Sequence, residues 1–195
     1  MPSSQAVEEF RAVLDSVYGV YLDSKSGFDL IVREFDRLRL ESLRRLPDRS
    51  PKKLDAAKII YGHGAPDDPG AYALHICTQK EYRERNLKDG QNDHVIGNLC
   101  MVLLYQYWED YYRGRIAAEL NLDRRALEVP VMGDLRLLRR SIIHHRAVAL
   151  PELVKCETIP WFEEGELISL TRKQVEHVIF LVKTALDDIA KESQV

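Results

Sequence analysis

Residues 92–120 read NDHVIGNLCMVLLYQYWEDYYRGRIAAEL, and the fold class turns on whether they form strand or helix. The apolar centre, LCMVLLY (99–105), has by itself the length and composition of a buried strand. Its continuation through QYWEDYYRGRIAAEL contains no proline, and the whole stretch holds only Gly97 and Gly114. Strands rarely exceed ten residues, so the uninterrupted length predicts a helix. Apolar residues nearly all round that helix place it at the centre of a bundle.

On the N-terminal side, Val7, Phe10, Leu14, Val17 and Tyr21 recur at steps of three and four, which predicts an amphipathic helix over 5–22. Ser24, Ser26 and Gly27 break the pattern. A second helix follows, with Phe28, Ile31, Phe35 and Leu38 inward and Arg33, Arg37, Arg39, Arg44 and Arg45 outward. Pro47 and Pro51 end it, because proline cannot continue helical hydrogen bonding. Residues 52–61 suit a short helix, and GHGAPDDPG (62–70) is the clearest loop in the chain. Its Gly62-His63-Gly64 is too short for a phosphate-binding glycine loop. Thr78 and Glu81 have capping-box spacing, so a helix starts there and runs toward Asn86, with Lys88-Asp89-Gly90 closing it.

On the C-terminal side, Asp123 or Pro130 closes the central unit. Asp134 is then a good N-cap for LRLLRRSIIHHRAVA. CETIPWF and LISL flank EEGE, which predicts a small β-hairpin within 150–170, with Pro160 on an edge strand. Thr171 opens a last helix with Val175, Val178, Ile179, Val182, Leu186 and Ile189 on one face. The expectation is one all-α domain over 1–195, an up-and-down bundle with a minor hairpin near its C-terminus.

The composition agrees. The chain has 195 residues, 45% hydrophobic and 30% charged, the mix of a globular protein. A net charge of −3 supplies no global field toward nucleic acid, so such contact requires a local basic patch. No run approaches the ~20 apolar residues of a membrane helix, and MPSSQAVEEF lacks the blocks of a secretory signal. Cys77, Cys100 and Cys156 are an odd, widely spaced set. They read as small core hydrophobes in a reducing cytoplasm rather than as disulfide or zinc ligands.

One segment carries chemistry: DLRLLRRSIIHHR, Asp134 to Arg146. Guanidinium groups grip phosphate through paired donors, and histidine titrates near neutral pH. Together they suffice to cleave a phosphodiester without a metal or other cofactor: an imidazole moves the proton and arginine steadies the phosphoryl charge. On an ideal helix Leu135, Leu138 and Ile142 share the core face, His145 lies near its edge, and His144 points away beside Arg140. Arg139 diverges from His144 by about 140°, so a composite site requires a distortion or two such helices meeting about a dimer axis. The plainer alternative is a solvated basic face. Glu109 and Asp110 read as ion-pair partners of these arginines, and Arg113 and Arg115 as a solvated or phosphate-facing patch. Tyr105, Tyr107, Trp108, Tyr111 and Tyr112 read as core or interface rings with base stacking as the alternative. His63, His75, His94 and His177 are too scattered for a site.

Arg-(four residues)-His on a late helix, here Arg139-Arg140-Ser141-Ile142-Ile143-His144, resembles the motif of the HEPN superfamily. LRRSIIHHRAVALPE and the upstream YQYWEDYYRGRIA (105–117) resemble a bacterial HEPN-like branch. The resemblance implies an α-helical bundle that dimerises through the motif helix. It also implies a metal-independent endoribonuclease of a defence or toxin–antitoxin type. RNA is then the substrate, and an antitoxin protein is a further partner. Arg139 would bind the scissile phosphate and His144 would be the acid/base or phosphate-orienting residue. Arg136, Arg140, His145 and Arg146 would complete the substrate-binding set. Arg140 stands where the family usually has a small polar residue. The overlapping frame Arg140–His145 also satisfies the spacing. The alternatives are a catalytically inactive RNA- or nucleotide-binding and dimerisation module, and a helical protein that only oligomerises.

Overall fold

The first helix, α1, runs unbroken from Gln5 to Arg45. The computed structural model describes residues 4–45, 48, 50–65 and 67–192, so Pro47 and Pro66 lie outside the described residues. Ser24, Ser26 and Gly27 do not end the helix as expected. Ser24 Oγ donates back to the Val20 carbonyl at 2.7 Å, and a lone glycine costs a helix only about 1 kcal/mol. The chain then continues through α2 (Pro51–Ala56), β1 (Lys58–His63), β2 (Tyr72–Thr78), α3 (Gln79–Arg85) and α4 (Gln91–Tyr107). A π-helical turn (Trp108–Tyr112) leads directly into α5 (Arg113–Glu119). After α6 (Pro130–His144) come a 3₁₀ turn (Pro151–Lys155) and α7 (Arg172–Glu192). The protein is mostly helical, with one two-stranded antiparallel sheet among the described residues. None of its described helices is long and apolar enough to cross a membrane.

The hairpin is the main departure from the sequence reading. It lies mid-chain at 58–78, not within 150–170. Between 150 and 170 the chain forms the 3₁₀ turn and irregular backbone, with one isolated bridge between Val148 and Leu167. The reason is competition for donors. The backbone N–H groups of Glu157, Thr158 and Ile159 all donate to the Asp134 carboxylate, at 3.1, 2.6 and 3.1 Å, and Pro151 and Pro160 have none to offer. Asp134 is therefore not an N-cap: α6 begins at Pro130, and Asp134 sits inside it, tying down the loop.

Contacts divide the chain into two units. The first comprises residues 1–24 and 94–195. Its core joins Phe10, Leu14 and Tyr21 of α1 to Met101, Leu104 and Trp108, to Leu135 and Leu138 of α6, and to Val175, Val178 and Val182 of α7. Phe10 packs its ring 5.6 Å from Trp108 and 5.0 Å from Tyr112. Thr171 and Gln174 cap α7 reciprocally, and the six residues expected on its inner face are all buried. The central helix is less enclosed than its composition suggests: Val95, Leu99, Leu103 and Tyr107, four residues apart, form an exposed ridge.

The second unit, residues 25–93, contains the rest of α1, α2, the hairpin and α3. Ile31 and Leu38, expected inward, are exposed, and Phe35 is half-buried against Tyr82 at 5.3 Å. Arg83 grips Asp36 through two bonds of 2.7 and 2.9 Å, and Arg39 pairs with Asp55 at 2.7 Å. Lys25 and Asp93 form a buried ion pair. The capping box of Thr78 and Glu81 starts α3 as its spacing indicates.

Candidate active site

The fate of α6 follows from its two faces. Leu135 and Leu138 are buried, and Ser141, also buried, accepts the Leu150 N–H at 3.2 Å, which fixes the end of the helix. Beyond it Arg146 and Ala147 both adopt left-handed backbone, φ 52° and 61°, and the Ala147 N–H bonds back to Ser141 and Ile142 carbonyls. His144 is the last helical residue and is exposed; His145 and Arg146 follow in the exposed turn.

Arg136, Arg139, Arg140 and His144 line one cleft of about 1130 Å³ in the first unit. His145 and Arg146 do not line it. At 100° per residue, the lining positions of α6 from Arg136 onward span a sector of about 160°, with Arg139 and His144 near opposite edges. Arg139 and His144 both line the cleft despite the divergence that ideal helix geometry gives them. Five residues of separation add a rise of about 7.5 Å between their backbones.

The facing walls come from Tyr105, Trp108 and Glu109, from the Leu127–Pro130 segment, and from Glu152, Lys155 and Glu157. The Arg139 guanidinium carbon lies 5.9 Å from the Tyr105 ring centroid, a cation–π contact. Its Nε is buried with no hydrogen-bond partner among the described residues. Such an orphaned donor costs free energy unless a ligand or water meets it. Burial raises the Tyr105 phenol pKa, Glu109 raises it further, and Arg136, Arg139 and Arg113 oppose the rise.

Glu109 does not pair with the α6 arginines. Its carboxylate accepts from Arg113 at 3.2 Å and Arg124 at 2.8 Å, while Arg113 Nε donates to the Leu127 carbonyl at 3.2 Å. Glu109 thus anchors the loop that walls the cleft. Asp110 accepts from Gln106 instead, and Arg115 pairs with Glu9 rather than with solvent or phosphate. Among the α6 cations, Arg140 donates to Glu152 at 3.0 Å, whereas Arg136 and Arg139 have no carboxylate partner among the described residues. The lining is balanced: Arg113, Arg136, Arg139, Arg140 and Lys155 face Glu109, Glu128, Asp134, Glu152 and Glu157.

Of the expected residues, then, four share the cleft and two do not. Sequence reading missed Lys155, Glu128 and Glu157, which carry no local signal and reach the cleft only through the fold. Tyr105 had one: it is the last residue of the apolar run 99–105 and the only one in it with a polar tip. Among the described residues no group of three or more His, Cys, Asp or Glu side chains is gathered to hold a metal ion. No protein-family model, curated protein or solved structure matches the chain.

Proposed function

We propose that the protein is a HEPN-like, metal-independent endoribonuclease of a bacterial defence or toxin–antitoxin type, its bundle dimerising through α6. The observation that carries this reading is the placement of Arg139 and His144 on one cleft, with a buried guanidinium donor left unpaired. In this reading Arg139 holds a non-bridging oxygen of the scissile phosphate, with Tyr105 supporting the flat guanidinium from one side. His144 takes the proton from the ribose 2′-hydroxyl. The 2′-oxygen attacks phosphorus, the bond from phosphorus to the 5′-oxygen breaks, and that oxygen leaves with a proton from the imidazolium of a second copy. The products are a 2′,3′-cyclic phosphate and a 5′-hydroxyl. Arg136 and Arg140 steady flanking phosphates, and an antitoxin protein would act by covering the cleft.

The test is cleavage of single-stranded RNA in the presence of a chelator. We expect Arg139→Ala and His144→Ala each to lower the rate at least ~100-fold, within the range of a lost acid/base or phosphate-stabilising group. Unchanged cleavage in both variants would sink the proposal.

A second reading has its own support. Five carboxylates in the lining and the Arg140–Glu152 pair leave the cleft without net positive charge, which favours weak binding over avid capture of a polyanion. An inactive module that binds RNA or a nucleotide and dimerises fits that balance. It gives no cleavage, but salt-dependent binding that weakens when Arg139 is neutralised.

A further inference from the structure

The hairpin of the 25–93 unit carries an irregularity that the cleft does not explain. Lys58 to Tyr61 pair in register with Thr78 to His75, but Gly62 then pairs with Ala73 and His63 with Tyr72. Leu74 is the extra residue of a β-bulge. In a regular ribbon Tyr72 would share the face of Ile76, because side chains alternate with period two. The bulge shifts the parity of β2, so Tyr72 meets His63, which lies on the same face of β1 as Tyr61. Two cross-strand ring pairs result: Tyr61–His75 with centroids 5.8 Å apart and His63–Tyr72 at 5.6 Å. All four rings are exposed, Tyr61 by 44% and Tyr72 by 58%. Arg85 of α3 adds a guanidinium, donating to His75 Nε2 at 2.7 Å and lying 5.3 Å from the Tyr82 ring centroid. Gly62 makes the arrangement feasible: a Cβ there would stand 2.8 Å from the Tyr72 carbonyl oxygen.

Charge points the same way. The 25–93 unit holds 14 Lys and Arg against 12 Asp and Glu, +2, in a chain whose total is −3. The segment leading into β1 contributes exposed Arg44, Arg45, Lys52, Lys53 and Lys58. Of the nearby carboxylates, Glu81 caps α3 and Asp68 accepts the Gly70 N–H at 2.9 Å. Exposed rings interleaved with cations are the equipment for stacking bases and neutralising phosphates.

We propose that this hairpin is a docking platform for single-stranded nucleic acid, with bases stacking on Tyr61–His75 and His63–Tyr72 and phosphates meeting Arg85. The assignment stands apart from the cleft, so either can fail without the other.

The experiment is fluorescence anisotropy of a labelled 2′-O-methyl oligouridylate, which lacks the attacking hydroxyl, with the full chain at low salt. Tyr61→Ala/Tyr72→Ala is expected to weaken binding at least ~10-fold, the loss of one or two stacked bases. Tyr61→Phe/Tyr72→Phe should retain it, as should Ile60→Ala/Leu74→Ala, which trims exposed apolar side chains of the same ribbon. Hydrogen exchange over 58–78 confirms that each variant keeps the hairpin. An oligodeoxyuridylate run in parallel separates the sources: preference for the 2′-O-methyl form assigns RNA, and equal or tighter binding of the deoxy form assigns DNA. The proposal is overturned if the unmodified chain does not bind, if the double alanine variant binds as tightly, if Ile60→Ala/Leu74→Ala loses as much, or if a duplex binds as well. In an Arg139→Ala/His144→Ala background, which removes the cleft's share of binding, Tyr61→Ala/Tyr72→Ala should still cost the same factor, and a vanished effect there also overturns the proposal.

Discussion

Asp134 shows how much one side chain decides. The sequence marks it as a helix cap, yet it is buried and accepts three backbone N–H groups and the Thr158 hydroxyl, the last at 2.6 Å. Charge-assisted bonds of this kind are about twice as strong as neutral ones. Asp134→Ala is expected to destabilise the protein by about 2–4 kcal/mol in chemical denaturation, with Asp134→Asn milder because one amide oxygen still accepts. A loss under ~0.5 kcal/mol would mean that the 157–159 loop is held by other contacts. The neighbouring Cys156 thiol is pushed up to about 12, by burial first and then by Asp134, and burial lifts Cys100 to about 11. Thiolate is the reactive form, so at pH 8 both should resist alkylation in the native protein and react on unfolding. Rapid native labelling at either position, read by mass spectrometry, contradicts this burial.

Among the elements, the π turn at Trp108–Tyr112 and the bulge at Leu74 are single insertions that redirect whole faces. The π turn keeps Trp108 and Tyr112 buried while Glu109 reaches the cleft. Composition reveals neither, because WEDYY reads as ordinary helix and the 58–78 stretch carries no strand in the sequence reading. At the bulge, Gly62→Ala forces a Cβ against main chain. It is expected to speed amide exchange across 58–78 while leaving exchange in α7 unchanged. The Lys25–Asp93 pair links α1 to the first turn of α4, and Asp93 also accepts the Asp89 N–H at 2.9 Å. Removing one partner strands a buried charge, so Lys25→Ala should cost about 3–5 kcal/mol. Lys25→Met/Asp93→Leu should recover much of that loss, a non-additivity that a double-mutant cycle reads directly.

For the molecule as a whole, acid is the informative stress. Arg83 holds the Asp36 carboxyl below its ordinary range through direct hydrogen bonds, and Arg115 does the same for Glu9. Because these values are depressed in the folded state, their stabilisation is complete above the ordinary carboxylate range near pH 4. It is lost as the pH falls through the depressed values. Stability should therefore decline on acidification below about pH 4–5, and Arg83→Gln should flatten the part of that decline that Asp36 contributes. An unaltered acid profile in Arg83→Gln, followed by denaturant midpoint against pH, would leave that pair without a role.

The sequence by itself determined the helical class, the inward face of α1 from Val7 to Tyr21 and that of α7, the capping box at Thr78 and the Arg139–His144 spacing. Each is written in short-range periodicity, where backbone geometry repeats every few residues. Only the tertiary structure decided that α1 runs past Gly27, that the hairpin sits at 58–78, and that Asp134 ties a loop. It also decided which carboxylate meets which arginine. Those outcomes depend on which distant groups compete for the same N–H, cation or buried space, and no local pattern encodes the winner.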